Sequence, residues 1–367
     1  MKTRLPVLIC AIAYLVLSIN IDRATACMSF SVTAKDQTIT IGRTMEFGVD
    51  SGWKIAVTPR NIPFTSPAPG GKDGLEWQNK YGYVSVVGWG IDTMVVDGLN
   101  EKGLCFGALW YELDVQWQEV KPGEEKRALA QTMMGPWLLG NFATVDEVKK
   151  AISEVKLFGY VVPALGMSPP GHAIIYDAQG KCIVLEVDEG RVHIYDNPLG
   201  ILTNAPNFPW HVAHLRQFIG MSTENPKTLE MAGMKFVPTG HGAGMIGMPG
   251  DFTPPSRFIR LGMTVHFADK AENADKNLNL CQHIVDSFAI TKGLVTGKMS
   301  DGKILKETTQ WASFRDLGNK VFYFKTYDNP DLRKIDLMKL DFAGGKLKFI
   351  DMDEGSQTIK DVTGSAK

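Results

Sequence analysis

The residue best equipped for chemistry is Cys27, because it stands directly behind Ala24-Thr25-Ala26, a small-residue pattern at which signal peptidases cut. Cleavage there makes this cysteine the first residue of the mature chain. A terminal cysteine carries a nucleophilic thiol of ordinary pKa about 8.5 and, on the same residue, an α-amine of about 7.7–8.0 that can serve as its base. The pairing is that of a threonine activated by its own terminal amine, with a different nucleophile. The preceding stretch has the three parts of a leader: Lys2 and Arg4, an apolar run from Val7 to about Ile21, then Asp22-Arg23 and the cleavage site. That run is short of the ~20 residues that span a bilayer. The expectation is a signal peptide over 1–26 and one domain over 27–367, periplasmic or secreted. Signal peptidase alone would generate the active terminus, since no long prosegment follows the leader. Lipidation of Cys27, as in a bacterial lipoprotein, is the competing reading. Ala24 at the third position before the cysteine, with charged Asp22 and Arg23 ahead of it, argues against that.

With 44% hydrophobic and 22% charged residues and no second long apolar segment, the chain reads as a soluble globular protein without a membrane span. Removing residues 1–26 moves the formal charge from −1 to −3, which disfavours nucleic acid or an anionic membrane as partner. Cys27, Cys105, Cys182 and Cys281 lie far apart without a pattern, and strand-like surroundings at Cys105 and Cys182 favour buried free thiols over a disulfide framework. Among the seven histidines none joins a metal-type cluster; His211 and His214 are three apart and read as a surface or core pair. No GxGxxG or GxxxxGK[ST] run occurs, so neither a metal nor a cofactor is expected.

The elements that must position Cys27 begin at once. Residues 28–34 alternate, Lys35-Asp36-Gln37 form a turn, and Thr38–Gly42 is β-branched, predicting a hairpin whose second strand ends at Arg43. That turn returns Arg43, Thr44, Met45 and Glu46 towards the thiol. Further strands are predicted at 83–88, 93–97 and 104–109, in a meander over 172–177, 182–187 and 192–196, and in a hairpin of 310–315 with 320–326. Thr144 and Glu147 have capping-box spacing, predicting a helix over 145–155; the stretches 209–219 and 255–269 are weaker helices. Such a mixture suggests stacked sheets covered by helices.

Four segments carry a family resemblance: Gly42-Arg43-Thr44-Met45-Glu46-Phe47 after Cys27, Asp97-Gly98-Leu99-Asn100-Glu101-Lys102-Gly103-Leu104, Leu202-Thr203-Asn204-Ala205-Pro206 through Trp210-His211, and Pro249-Gly250-Asp251-Phe252-Thr253-Pro254-Pro255-Ser256-Arg257-Phe258. In this order and spacing they resemble the choloylglycine hydrolase family, which includes bile salt hydrolases and penicillin V acylases, across most of the mature chain. The resemblance implies an α+β N-terminal-nucleophile hydrolase fold, a four-layer αββα sandwich of two antiparallel sheets between helical layers. It also implies hydrolysis of a linear, non-peptide amide C–N bond through a thioester acyl-enzyme.

Carried over by residue, Cys27 is nucleophile and, through its amine, base. Arg43 and Arg257 match the two active-site arginines, and Asn204 matches the asparagine whose side-chain N–H forms half of an oxyanion hole. Glu46 stands where bile salt hydrolases commonly hold the terminal amine with an aspartate. Trp110 stands where an asparagine often follows, at the position whose backbone N–H completes the oxyanion hole. Its indole adds an apolar wall to the acyl pocket, as in the Gram-negative penicillin V acylase branch. The expected substrate is a small N-acyl amide such as penicillin V, an N-acyl homoserine lactone or a conjugated bile salt. The family often forms homotetramers. The alternatives from other classes are an inactive binding protein on the same scaffold, or a lipoprotein anchored through Cys27.

Overall fold

The computed structural model describes residues 27–112, 115–163, 165–298 and 302–366; the leader predicted over residues 1–26 lies outside them. The hairpin after Cys27 forms from Met28–Thr33 and Ile39–Phe47, paired antiparallel with Ser29 opposite Arg43. Its second strand does not end at Arg43 but runs four residues further. The cause is a partner distant in sequence: Ile304–Asp316 ladders along its other side from Asp316 opposite Thr40 to Thr308 opposite Phe47. The register shifts between Thr309 and Trp311, so Gln310 sits at a bulge beside Glu46 and Met45. Its amide donates to the carbonyls of Phe47 and Val49 at 2.9 and 2.8 Å.

The first sheet has the spatial order Ile201–Leu202, Met28–Thr33, Ile39–Phe47, Ile304–Asp316, Val321–Thr326, Arg333–Asp336, with Val295–Lys298 added along the start of Ile304–Asp316. The second runs Arg191–Asp196, Cys182–Asp188, Gly171–Tyr176, Cys105–Trp110, Ile91–Asn100, Tyr83–Gly88, Lys54–Thr58, Lys348–Asp351. Every neighbouring pair in both sheets is antiparallel. The strand period of two divides Ile39–Phe47 between layers. Arg43, Met45 and Phe47 face the second sheet, while Thr40 meets the helices, its Oγ1 accepting from Asn277 Nδ2 at 3.0 Å.

Five α-helices are described: α1 Met134–Asn141, α2 Val145–Ala151, α3 Phe208–Leu215, α4 Pro254–Phe267 and α5 Ala274–Asp286. α4 and α5 cover the first sheet; α1 and α2 cover the second, giving an αββα sandwich with apolar layers on both sides of the second sheet. The capping box forms, with the Glu147 N–H donating to Thr144 Oγ1 at 3.2 Å and the Thr144 N–H to Glu147 Oε2 at 3.3 Å. Yet α2 stops at Ala151 and the end of the predicted helix is a 3₁₀ turn over Ile152–Glu154, directly before Lys156–Phe158, which pairs in parallel with Ala128–Ala130. Likewise the helix expected over 209–219 is α only from Phe208 to Leu215 and 3₁₀ from Arg216 to Phe218.

All four cysteines of 27–367 are buried and free. Cys105 and Cys182 both lie opposite Tyr176, one strand to either side. Among the described residues no helix is long and apolar enough to cross a membrane.

Candidate active site

Cys27 is the residue immediately before the first strand, 2% exposed, with its Sγ 3.6 Å from Met45 Sδ and 4.0 Å from the Glu46 carbonyl oxygen. Burial pushes its thiol above the ordinary value, and the Arg43 guanidinium opposes that most strongly. A buried cysteine whose titration feels two guanidinium groups is poised differently from one merely lost in the core.

Arg43 is fully buried between the sheets. Its guanidinium donates to the carbonyls of Val96 and, at 2.5 Å, Ala108, lies 3.6 Å from Asp97 and packs 5.3 Å from the Trp311 ring centre. Gly107 makes room for it: a Cβ there would sit 3.1 Å from Arg43 Nη1. Asp97, from the first residue of the Asp97–Leu104 motif, is also paired with Arg315 and accepts from Ser313 Oγ at 2.6 Å. Asn100 closes the same motif's turn, accepting from the Lys102 and Leu104 N–H groups at 3.0 and 2.9 Å. The motif therefore anchors the arginine and shapes a turn, and contributes nothing directly to the thiol's surroundings.

Arg257 reaches the site from the first turn of α4. Asp251 fixes that turn, accepting from the Thr253 N–H at 2.9 Å and the Ser256 hydroxyl at 2.7 Å, and Pro254 and Pro255 open the helix. The Arg257 guanidinium donates to the Cys27 carbonyl at 2.8 Å and, through Nη2, to Asn204 Oδ1 at 2.7 Å. Asn204 in turn donates from Nδ2 to the Trp110 carbonyl at 2.8 Å, which leaves the second hydrogen of that amide for another acceptor. Cys27, Arg257, Asn204 and Trp110 are thus joined in one chain of hydrogen bonds. Glu46, on the helix-facing side of its strand, accepts from Thr44 Oγ1 at 2.9 Å and Thr309 Oγ1 at 2.8 Å. Burial pushes its carboxyl up to about 7, against the Arg257 charge and both hydroxyls.

Above the thiol opens a pocket walled by Phe47, Trp89, Met94, Trp110, Trp117 and Met134, with Gln131 and His172 among its few polar linings. The Trp110 indole is fixed by donating to Glu112 at 2.8 Å and by its ring contact with Phe47, centroids 5.8 Å apart. Among the described residues no group of three or more His, Cys, Asp or Glu is placed to hold a metal ion.

Sequence reading missed Glu307. It is 4% exposed, shares a sheet face with Thr309 and lies diagonally across from Glu46, and its Oε2 finds no hydrogen-bond partner. No local spacing could reveal it, because the pairing bridges the two ends of the chain. Burial first, then the Glu46 charge, pushes Glu307 up to about 8. A carboxyl whose proton is held more tightly in the folded state than in the unfolded one adds stability that is complete below about pH 4.5 and is lost as pH rises through its folded pKa. Thermal midpoints are therefore expected to fall between pH 5 and 9, and Glu307→Gln to flatten that fall. An unchanged slope in the variant, followed by calorimetry across this range, would remove Glu307 from the account.

A buried cysteine heading the first strand of an αββα sandwich is the layout of N-terminal-nucleophile hydrolases. The model of the linear amide C-N hydrolases, choloylglycine hydrolase family, matches residues 27–356, and the chain belongs to that family. A bile salt hydrolase/transferase from Clostridium perfringens is 29% identical over 326 residues, covering 88% of this chain and 95% of the relative. A penicillin V acylase from Pectobacterium atrosepticum is 23% identical over 376 residues, covering 96% and 92%. Among solved structures, a variant of the conjugated bile acid hydrolase from Clostridium perfringens matches with TM-score 0.79 and 27% identity, over 92% of this chain and 99% of that one. Penicillin V acylase from Agrobacterium tumefaciens shares the fold, with TM-score 0.71 and 22% identity over 89% and 91%. The chain is a hydrolase acting on linear amide C–N bonds.

Proposed function

We propose that the protein is an exported N-terminal cysteine amidohydrolase, freed of residues 1–26 by signal peptidase, that cleaves a small N-acyl amide with an apolar acyl group. The observation that carries this reading is the position of the Cys27 thiol at the floor of an almost wholly apolar, tryptophan-walled pocket, where the Arg43 and Arg257 charges act on it and Arg257 links the Cys27 carbonyl to Asn204. In the mature chain the Cys27 α-amine takes the thiol proton and Sγ attacks the amide carbonyl. The free Asn204 Nδ2 hydrogen and the Trp110 backbone N–H stabilise the oxyanion. The α-ammonium then protonates the leaving nitrogen, the C–N bond breaks, and a thioester remains on Cys27. Water, losing a proton to the freed amine, hydrolyses the thioester to the carboxylic acid. Arg43 favours the thiolate, Arg257 orients Asn204 and the Cys27 carbonyl, and Glu46 holds the terminal ammonium.

Three indoles narrow the pocket, which favours the flat phenoxyacetyl group of penicillin V or the linear chain of an N-acyl homoserine lactone over the bulk of a bile acid. Hydrolysis rates on these three substrates test that order, and faster cleavage of glycocholate would reverse it. A chain that retains Ala26 is expected to be silent, since its nitrogen is an amide. Intact mass of the exported protein separates this reading from a lipoprotein: an N-terminus at unmodified Cys27 supports export and cleavage, whereas a lipid adduct there contradicts the mechanism.

A homotetramer is the assembly we propose, by family likeness. The hairpin of Leu229–Met231 and Met234–Phe236, which exposes Leu229, Met231, Met234 and Phe236, gives it an apolar contact surface. A monomeric mass by light scattering would refute it.

A further inference from the structure

The two residues that form the proposed oxyanion hole come from different sheets and are joined directly by the Asn204–Trp110 hydrogen bond, so the peptides that carry them must be held at the right distance on either side of it. Trp110 ends the strand Cys105–Trp110 of the second sheet, and Asn204 lies just beyond Ile201–Leu202 of the first. Between them sits His172, 1% exposed, opposite Leu109 in register. Its ring stacks on Tyr111, the residue after Trp110, with centroids 4.7 Å apart and planes 4° from parallel. On the other side its Nε2 is 2.8 Å from the carbonyl oxygen of Thr203, the residue before Asn204. A carbonyl only accepts, so Nε2 carries a hydrogen and donates it.

The other ring nitrogen closes a second arm. Nδ1 lies 3.0 Å from Glu186 Oε1, and that same oxygen accepts the N–H of Phe208, the first residue of α3, at 2.9 Å. One turn along, α3 carries His211, whose Nε2 lies 2.8 Å from the Asn204 carbonyl oxygen. Burial pushes His211 down to about 4, so it is neutral at pH 7 and donates its single ring hydrogen to that carbonyl. The peptide carrying Asn204 is thus gripped at both of its carbonyls by buried histidines, and His172 alone also touches the Trp110 side.

We infer that His172 is a positioning residue for the hydrolysis, setting the distance between the Trp110 backbone N–H and the Asn204 amide through its stack on Tyr111 and its bond to Thr203. This rests on the reading of Asn204 and Trp110 as oxyanion donors. A donor moved by a fraction of an ångström stabilises the developing oxyanion less well, while the apolar pocket binds the acyl group as before. The loss therefore falls on kcat and leaves KM in place.

His172 also lines the pocket, so a plain wall role is the rival, and it makes the opposite prediction: a change in KM that depends on the acyl group. His172→Asn keeps a donor towards Glu186 but falls short of Thr203; His172→Gln, one methylene longer, reaches it. We expect kcat to fall about 10–100-fold for His172→Asn with KM within about threefold, and to stay within about threefold for His172→Gln. In an Asn204→Ala background His172→Asn is expected to cost less than about threefold more, because the group it positions is gone. Full additivity in that background, or a loss confined to KM, would overturn the inference while leaving the oxyanion reading intact. Full activity of Asn204→Ala alone would overturn both. Should His172→Asn not fold, Tyr111→Leu, which removes the stack and leaves the ring's hydrogen bonds, is read in the same cycle with the same expectation.

Discussion

Replacing Cys27 by serine is expected to lower kcat/KM by about 10⁴-fold or more, the scale on which nucleophile removal acts in other hydrolases. The argument is one of acidity and of redundancy. A hydroxyl is a far weaker acid than a thiol, and an α-amine of ordinary pKa near 8 is matched to a thiol and not to an alcohol. Among the described residues no other cysteine stands in for it: Cys105, Cys182 and Cys281 are buried, and burial pushes the thiols of all three up. The fold should tolerate the change, since among the described residues the Cys27 sulfur has hydrogen-bond contacts only with the Met45 sulfur at 3.6 Å and the Glu46 carbonyl at 4.0 Å. A thermal midpoint near that of the parent, measured on the same preparation, separates lost chemistry from lost structure. Retention of full activity in Cys27→Ser would contradict the mechanism.

The second large effect is expected at Asn204, where substitution by alanine should cost about 10²–10³-fold in kcat, as removal of one oxyanion donor does elsewhere. The side chain has both halves of its amide committed: Oδ1 accepts from Arg257 and Nδ2 donates to the Trp110 carbonyl. This pins the remaining Nδ2 hydrogen in one direction before substrate arrives, which is what an oxyanion donor requires. Truncation also removes one acceptor from a buried guanidinium that keeps its bonds to the Cys27 and Phe252 carbonyls. A modest loss of stability should therefore accompany the kinetic one. Steady-state kinetics on a single amide substrate decides this: kcat reduced with KM little changed fits, and a pure KM effect does not.

How much of this was legible in the sequence depends on how local each signal is. The opening hairpin followed from alternation and a turn, and that turn brought Arg43 back towards Cys27; the register of Ser29 opposite Arg43 has that geometry. The capping box at Thr144 and Glu147 was equally local. Two helices escaped. α1 contains Gly135, Pro136 and Gly140 and is buried over seven of its eight residues, so it has no polar face to give a period. α5 has an Asn273 cap and a polar face, a signal that was available and went unread. The extension of the second strand to Phe47 was not legible, because its partner lies more than 250 residues away in sequence.

The same division runs through the site. Family motifs pointed to Cys27, Arg43, Glu46, Trp110, Asn204 and Arg257, and the fold gathers them around one buried thiol and its pocket. His172 and His211 were visible only as histidines without metal partners. Their bonds to the Thr203 and Asn204 carbonyls, and that of Glu186 to α3, arise from strands and a helix brought together by the sandwich. Glu307 next to Glu46 is of the same kind. Polar networks built across elements carry no local spacing, so only the assembled structure exposes them.

The measurement that tests the central claim most directly is time-resolved intact mass of the mature chain mixed with penicillin V, read at the N-terminal peptide. A transient mass increase of one phenoxyacetyl group on Cys27, decaying as the free acid appears, is the predicted result. Turnover with the acyl group on any other residue, or turnover undiminished when Cys27 is replaced by alanine, would contradict it.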